Sequence, residues 1–248
     1  MLSIELHAKQ TVKNWLRDNE IDIRIIQKCT NIILNQIRRH NKWSFPEIEI
    51  KRYKNINSSG YYFGFDELYL TGNLDQNGWS KEKRFDTFVS HYLHELRHWI
   101  QDNMLGVSEE KLNYTEEDVD KERPTYCQNK WEVDARRFER RYKKEFIQLY
   151  HILEKLSEKN IRVDIDDRND SIGKRIREAE KEWIRYILVI GEKEANSSNL
   201  SVRDRNSTDV RDLTFEEFSG EINELTKNKP FSKLNMPLLL SKRPIIQV

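Results

Sequence analysis

Cysteine is scarce in this chain, with Cys29 and Cys127 the whole supply. Two thiols cannot staple a small secreted scaffold, so the fold must rest on a hydrophobic core, as suits a reducing compartment. Glycine and proline are also sparse, 8 and 5 in 248 residues, which excludes collagen-like and Gly/Pro-rich low-complexity architectures. No run approaches 18 uncharged apolar residues, so no membrane-spanning segment is expected. Met1 to Gln10, with Glu5 and His7, lacks the apolar stretch of a signal peptide. An excess of one charge is missing too. The 43 Lys and Arg against 42 Asp and Glu leave a formal +1, so no overall field steers the chain to nucleic acid or to an anionic membrane. On these absences a cytoplasmic protein is expected.

What remains is enough to bury a core: 37% of residues are hydrophobic and 10% aromatic. Apolar spacing predicts helices over Ile4–Asp18 and Ile21–Arg39. Strand-like pieces follow at Glu47–Lys51, Gly60–Phe65 and Glu67–Thr71, punctuated by Asn57-Ser58-Ser59-Gly60 and Gly72-Asn73, and they suggest a small antiparallel or mixed sheet. A helix over Lys83–Asn103 puts Phe85, Phe88, Val89, Tyr92, Leu96, Trp99 and Ile100 on one side. Thr87, His91, His94, Glu95 and His98 fall on the other. Met104–Lys130 reads as an irregular or partly helical excursion, acidic between Glu109 and Asp120, and Trp131–Leu156 as a long helix. Further helices are expected near Gly173–Ile190 and Thr214–Leu225, with Asn196–Asp212 as a loop between them. The apolar tail segments Asn235–Leu240 and Pro244–Ile246 are expected to dock against the body or a partner. The partition this suggests is one domain over residues 1–165 and a helical extension over 166–248.

The chemistry concentrates at His94-Glu95-Leu96-Arg97-His98. One helical turn separates the two histidines, so both imidazoles can approach one Zn2+ ion from the same side. Glu95 is placed to take a proton from a metal-bound water, whose pKa zinc lowers to roughly 7. A third ligand must come from elsewhere. Glu132 and Asp134, at the start of the long helix, are the leading candidates, and helical geometry leaves the choice open. The carboxylate that does not bind would orient a ligand histidine through its free ring nitrogen. His91 shares the face of the motif and is a candidate for direct or supporting contact. Tyr114, Arg123 and Tyr126 are candidate oxyanion donors, and Cys127 is an alternative ligand. Six cations, Arg136, Arg137, Arg140, Arg141, Lys143 and Lys144, cover the early turns of the same helix and offer a weak signal for nucleic-acid contact.

His94-Glu95-Leu96-Arg97-His98, followed by Glu132-Val133-Asp134-Ala135-Arg136-Arg137-Phe138, resembles the zincin superfamily, in particular gluzincin-like metallopeptidases related to the ImmA/IrrE group and phage proteins bearing the same motif. The resemblance implies Glu132 as third ligand and Glu95 as catalytic base. It also implies an α+β zincin-like fold, with a small sheet packed on the active-site helix and helical additions at both ends. The expected function is a zinc-dependent endopeptidase acting on a protein or peptide substrate. The alternative is a catalytically inactive, metal-stabilised interaction or nucleic-acid-associated protein of a phage or mobile element.

Overall fold

The computed structural model describes residues 6–37, 48–53, 59–62, 67–71, 74, 78–105, 129–168, 170–191, 194, 197, 199–207, 209–232 and 235–243. The chain divides into two compact units. One comprises residues 2–27 and 43–143, and the other comprises residues 28–42 and 144–248.

In the histidine-bearing unit, strand β1 (Leu6–Ala8) precedes helix α1 (Gln10–Asp18). The helix predicted over Ile4–Asp18 therefore gives up its start to a strand. Leu6 and Ala8 are buried while His7 is exposed, and the segment runs parallel to strand β2 (Ile48–Tyr53), Leu6 opposite Ile48 and Ala8 opposite Ile50. Pairing with a distant strand overrides a local helical period too short to nucleate there. Helix α1 buries Val12, Trp15 and Leu16. It ends with Glu20 in the left-handed region at φ 61°, while the Ile21 amide donates back to the Leu16 carbonyl at 2.8 Å. Strand β3 (Gly60–Tyr62) and strand β4 (Glu67–Thr71) complete a mixed four-stranded sheet in the order β1-β2-β4-β3. Helix α2 (Ile23–Ile37) contributes to both units, as does a later long helix.

Helix α3 (Lys81–Leu105) packs against β3 and β4. Ser80 starts it, its hydroxyl accepting from the Lys83 amide at 3.2 Å. The whole predicted apolar stripe is buried, with Phe88 stacked on Tyr92 at 5.9 Å between centroids. The opposite face is not solvent: Glu95, His98 and Gln101 are buried as well. Helix α4 (Lys130–Glu158) covers them with its first turns and runs on into the second unit.

The C-terminal unit departs from the helical extension expected for residues 166–248. Helix α5 (Ile172–Lys181) is short, and strand β5 (Tyr186–Val189), strand β6 (Leu200–Asp204) and strand β7 (Val210–Leu213) form an antiparallel sheet before helix α6 (Phe215–Thr226). The helix predicted over Gly173–Ile190 thus breaks at Trp183, and the loop predicted over Asn196–Asp212 carries two strands. The reason is physical. Tyr186-Ile187-Leu188-Val189-Ile190 is a β-branched and aromatic run that gains more from a pleated, half-buried surface than from a helix. The directly opposed residues Leu188 and Val202, and Leu200 and Leu213, share one face. That face meets Phe215, Phe218, Ile152 and Leu156 in a single core. Thr214 and Glu217 form a reciprocal capping box that starts α6. Further along, Leu239 pairs with Ile165, and buried Asp167 accepts from Ser241 and, at 3.0 Å, from Asn35. Pro244–Ile246 of the expected docking tail lie outside the described residues. Among the described residues, no helix is long and apolar enough to cross a membrane.

Candidate functional site

The first turn of α4 meets one turn of α3 in the histidine-bearing unit. His94 Nε2 lies 3.2 Å from His98 Nε2 and 3.2 Å from Glu132 Oε2, and His98 Nε2 lies 3.1 Å from Glu132 Oε1. Among the described residues these three form a group whose donor atoms all lie within 4.8 Å of one another. Ligands about 2.0–2.1 Å from a tetrahedral zinc stand about 3.3–3.4 Å apart; the two imidazole nitrogens have nearly that spacing, and each lies at a similar distance from a different oxygen of Glu132. Ala135 is fully buried at this crossing, where a larger side chain would part the helices.

The tautomer of His98 follows from its neighbours. Gln101 Nε2 faces two acceptors, the Trp131 carbonyl at 3.0 Å and Asp134 Oδ2 at 2.9 Å. Its amide oxygen therefore points at His98 Nδ1, 2.9 Å away. An acceptor there requires the proton on Nδ1. Neutral His98 is left with its Nε2 lone pair facing His94 and Glu132, the arrangement a metal ligand requires.

Electrostatics within the cluster are strongly coupled. Burial opposes ionisation of Glu132, but hydrogen bonds from His94 and His98 in their protonated forms hold its carboxyl well below the usual range. Burial likewise opposes the charged form of His98, yet the bond to Glu132 and the charge of Glu95 raise its pKa. Glu95 is buried, which pushes its carboxyl up, and the nearby Glu132 adds to that while the histidines oppose it.

The remaining predicted residues are placed elsewhere. Asp134 turns away from the histidine pair to Arg97 Nε at 2.7 Å and to Gln101. His91 Nδ1 stands 2.6 Å from the Ser59 hydroxyl, and burial lowers its pKa. Tyr114, Arg123, Tyr126 and Cys127 lie outside the described residues. The cationic face of α4 is partly answered internally: Lys143 reaches Asp86 at 2.9 Å, and Arg136 stands 3.6 Å from Glu132.

The sequence reading passed over the start of the second sheet. Helix α5 ends in a reversal in which the Trp183 amide donates to the Glu180 carbonyl and the Ile184 amide to the Ala179 carbonyl, both at 3.1 Å. Trp183 takes the left-handed conformation at φ 58° and is 72% exposed. Arg205, just after β6, sets its guanidinium over the indole at 5.7 Å and donates to the Trp183 carbonyl at 2.9 Å. The signal that could have exposed this region was the Tyr186–Ile190 run closed by Gly191.

Comparison with known proteins points to this second unit. Residues 141–225 match the family model described as an anticodon binding domain. The threonine–tRNA ligase of Nitrosopumilus maritimus is 61% identical over 98 residues, 40% of this chain and 16% of that protein. The same enzyme of Cenarchaeum symbiosum is 54% identical over 88 residues, and that of Staphylothermus marinus 48% over 94, covering 14% and 15% of their lengths. The chain therefore spans about a sixth or less of the relatives it matches.

These matches correct several expectations. The relatives are ligases, so the zincin-like metallopeptidase identity and the zinc endopeptidase function are overturned, and the general-base role written for Glu95 goes with them. The expected zincin-like fold with helical additions is overturned as well: residues 141–225, which match the anticodon binding domain model, combine helices with an antiparallel sheet. Neither a peptide substrate nor a phage origin finds support in the matched proteins. Of the two functions expected, nucleic-acid association is the better supported.

Proposed function

We propose that this chain is a tRNA-binding protein whose residues 141–225 engage the anticodon region of a threonine tRNA. The observation that carries this reading is the coincidence of an anticodon-domain match over that segment with 61% identity to a threonine–tRNA ligase. The fold is compatible: one face of the β5-β6-β7 sheet is closed by α6, and the exposed Arg205 stands by the Trp183 turn. The segment carries no net excess of cations, so recognition rests on a few placed contacts rather than on a general field. Aminoacylation is no part of the proposal, since so small a share of the ligases is covered. A protein that binds tRNA would work in the cytoplasm.

The test is titration of the full chain into a labelled threonine tRNA transcript and into the same transcript with a changed anticodon. Tighter binding of the unaltered tRNA is expected. Equal affinity for both, or no binding below about 100 μM, the non-specific range, would defeat the reading.

A second reading concerns the other unit. The donor triangle of His94, His98 and Glu132 supports a bound Zn2+ ion that ties α3 to the first turn of α4. Zinc there would supply a structural cross-link, with water completing its coordination. Metal analysis of the purified chain should find about one zinc per chain, lost in His98→Ala. Equal zinc content in both proteins would rule the site out.

A further inference from the structure

Trp183 occupies the position after a helix where glycine is favoured, because the left-handed backbone there crowds a β-carbon. Of the other non-glycine residues at positive φ, Asn160 and Asn228 are of the type that tolerates it. The tryptophan gains little burial in exchange, since the residue is 72% exposed. Its setting is nevertheless built. The turn is fixed by the two hydrogen bonds back to Glu180 and Ala179. The Arg205 amide donates to the Arg185 carbonyl at 3.0 Å, which anchors the end of β6 beside the turn, and the Arg205 side chain holds the Trp183 carbonyl and lies over its ring. Arg203, which alternates with the buried Val202, projects to the sheet face away from the core. Two carboxylates of the sheet and of α6 are engaged by other groups, while Glu180 and Glu182 flank the turn in sequence. Asp204 stands 3.6 Å from both Arg185 and Arg211, and Glu221 accepts from Tyr186 at 2.8 Å and from Arg211.

An exposed indole backed by a guanidinium is suited to an unpaired nucleobase followed by its phosphate. We propose that Trp183 is a stacking platform for one unpaired base of the bound RNA, with Arg205 holding the ring and contacting the adjoining phosphate. The proposal rests on the tRNA-binding reading and names the residue that captures the loop. Paired bases offer no free face, so the platform discriminates a single-stranded loop from a duplex.

The experiment uses the full chain with Trp183→Gly, Trp183→Phe and Arg205→Ala, titrated against the threonine tRNA transcript, its anticodon stem-loop and a fully paired duplex of the same stem. Glycine suits the left-handed position, so Trp183→Gly is expected to keep or raise the melting temperature. Its affinity for tRNA and stem-loop should nevertheless fall by roughly 5- to 150-fold, the range for one base–aromatic stack. Trp183→Phe should retain most of the affinity, and Arg205→Ala should lose part of it. Duplex binding should be weak and the same for all four proteins. If wild type binds the stem-loop and Trp183→Gly binds it equally well, the platform is refuted while tRNA binding stands. If wild type binds neither tRNA nor stem-loop, the tRNA-binding reading fails and the platform falls with it.

Discussion

Replacing Gln101 by leucine keeps the volume of a fully buried side chain and removes three hydrogen bonds at once. The His98 Nδ1 proton loses its acceptor, so the ring is no longer held in the tautomer and orientation that present Nε2 to the donor triangle. Removing such a supporting contact costs about 10- to 100-fold in metal affinity. The same change destabilises the metal-free fold by about 1–3 kcal/mol for each buried partner left unsatisfied, which would confuse a simple comparison of melting temperatures. The informative quantity is the increment that zinc adds. At a free zinc concentration 100 times the wild-type Kd, binding stabilises the native state by about 2.7 kcal/mol. With the site weakened 10- or 100-fold at the same concentration, that increment falls to about 1.4 or about 0.4 kcal/mol. Urea unfolding of wild type and Gln101→Leu, each with buffered zinc and with chelator, gives the two increments directly. An undiminished increment in the variant would show that Gln101 does not position His98 and that the tautomer argument is wrong.

Thr214→Ala removes the hydroxyl that accepts from the Glu217 amide at 3.2 Å and should cost about 1 kcal/mol by denaturant unfolding; no change would mean that the capping box does not hold α6 in solution. Asp166 is held below its ordinary pKa by hydrogen bonds from the Arg168 guanidinium, at 2.6 and 2.9 Å, despite the opposing effect of burial. Its stabilisation is therefore fully present above the unfolded value of about 3.9 and is lost as pH falls through the lower folded value. Asp166→Asn should flatten that acid limb, and an unaltered pH profile would contradict the assignment. Binding of threonine tRNA should weaken only modestly with salt, with a log–log slope near about −2 for two or three phosphates contacted; a slope steeper than about −5 would point to a broad cationic surface instead.

How much of this was legible in the sequence differs between the two units. The apolar stripe of α3 was readable because 3.6-residue periodicity sustained from Phe85 to Ile100 is hard to mimic by chance, and Lys81–Leu105 sits over it. The polarity of its other face misled in one respect. Glu95, His98 and Gln101 look solvated by their residue type, yet they are buried because α4 lies across them, and periodicity along one helix cannot announce what covers it. The choice between Glu132 and Asp134 was open for the same reason. It depends on which carboxylate the crossing helix turns inward, and Arg97 and Gln101, a turn or less from the histidines, draw Asp134 aside.

The second sheet was missed because charge hides its strands. Leu200-Ser201-Val202-Arg203-Asp204 and Val210-Arg211-Asp212-Leu213 alternate as half-buried strands should, but the Asn, Ser and Asp residues between them read as loop, and the strands are only 5 and 4 residues long. Their stability comes from partners distant in sequence, Phe215 and Phe218 on α6 and Ile152 and Leu156 on α4, so no local window contains the cause. A short motif of ionisable residues is visible in any window that includes it, and this asymmetry drew the functional expectation toward His94–His98. The proposed RNA contact has no comparable local signature, since it joins Trp183 at a helix end to Arg205, just after β6 and some twenty residues away. What betrays it in three dimensions is a conflict between levels: a large apolar ring in a backbone conformation suited to glycine, left in solvent and gripped by an arginine. Sequence and fold disagree at that point, which is where function is most worth seeking.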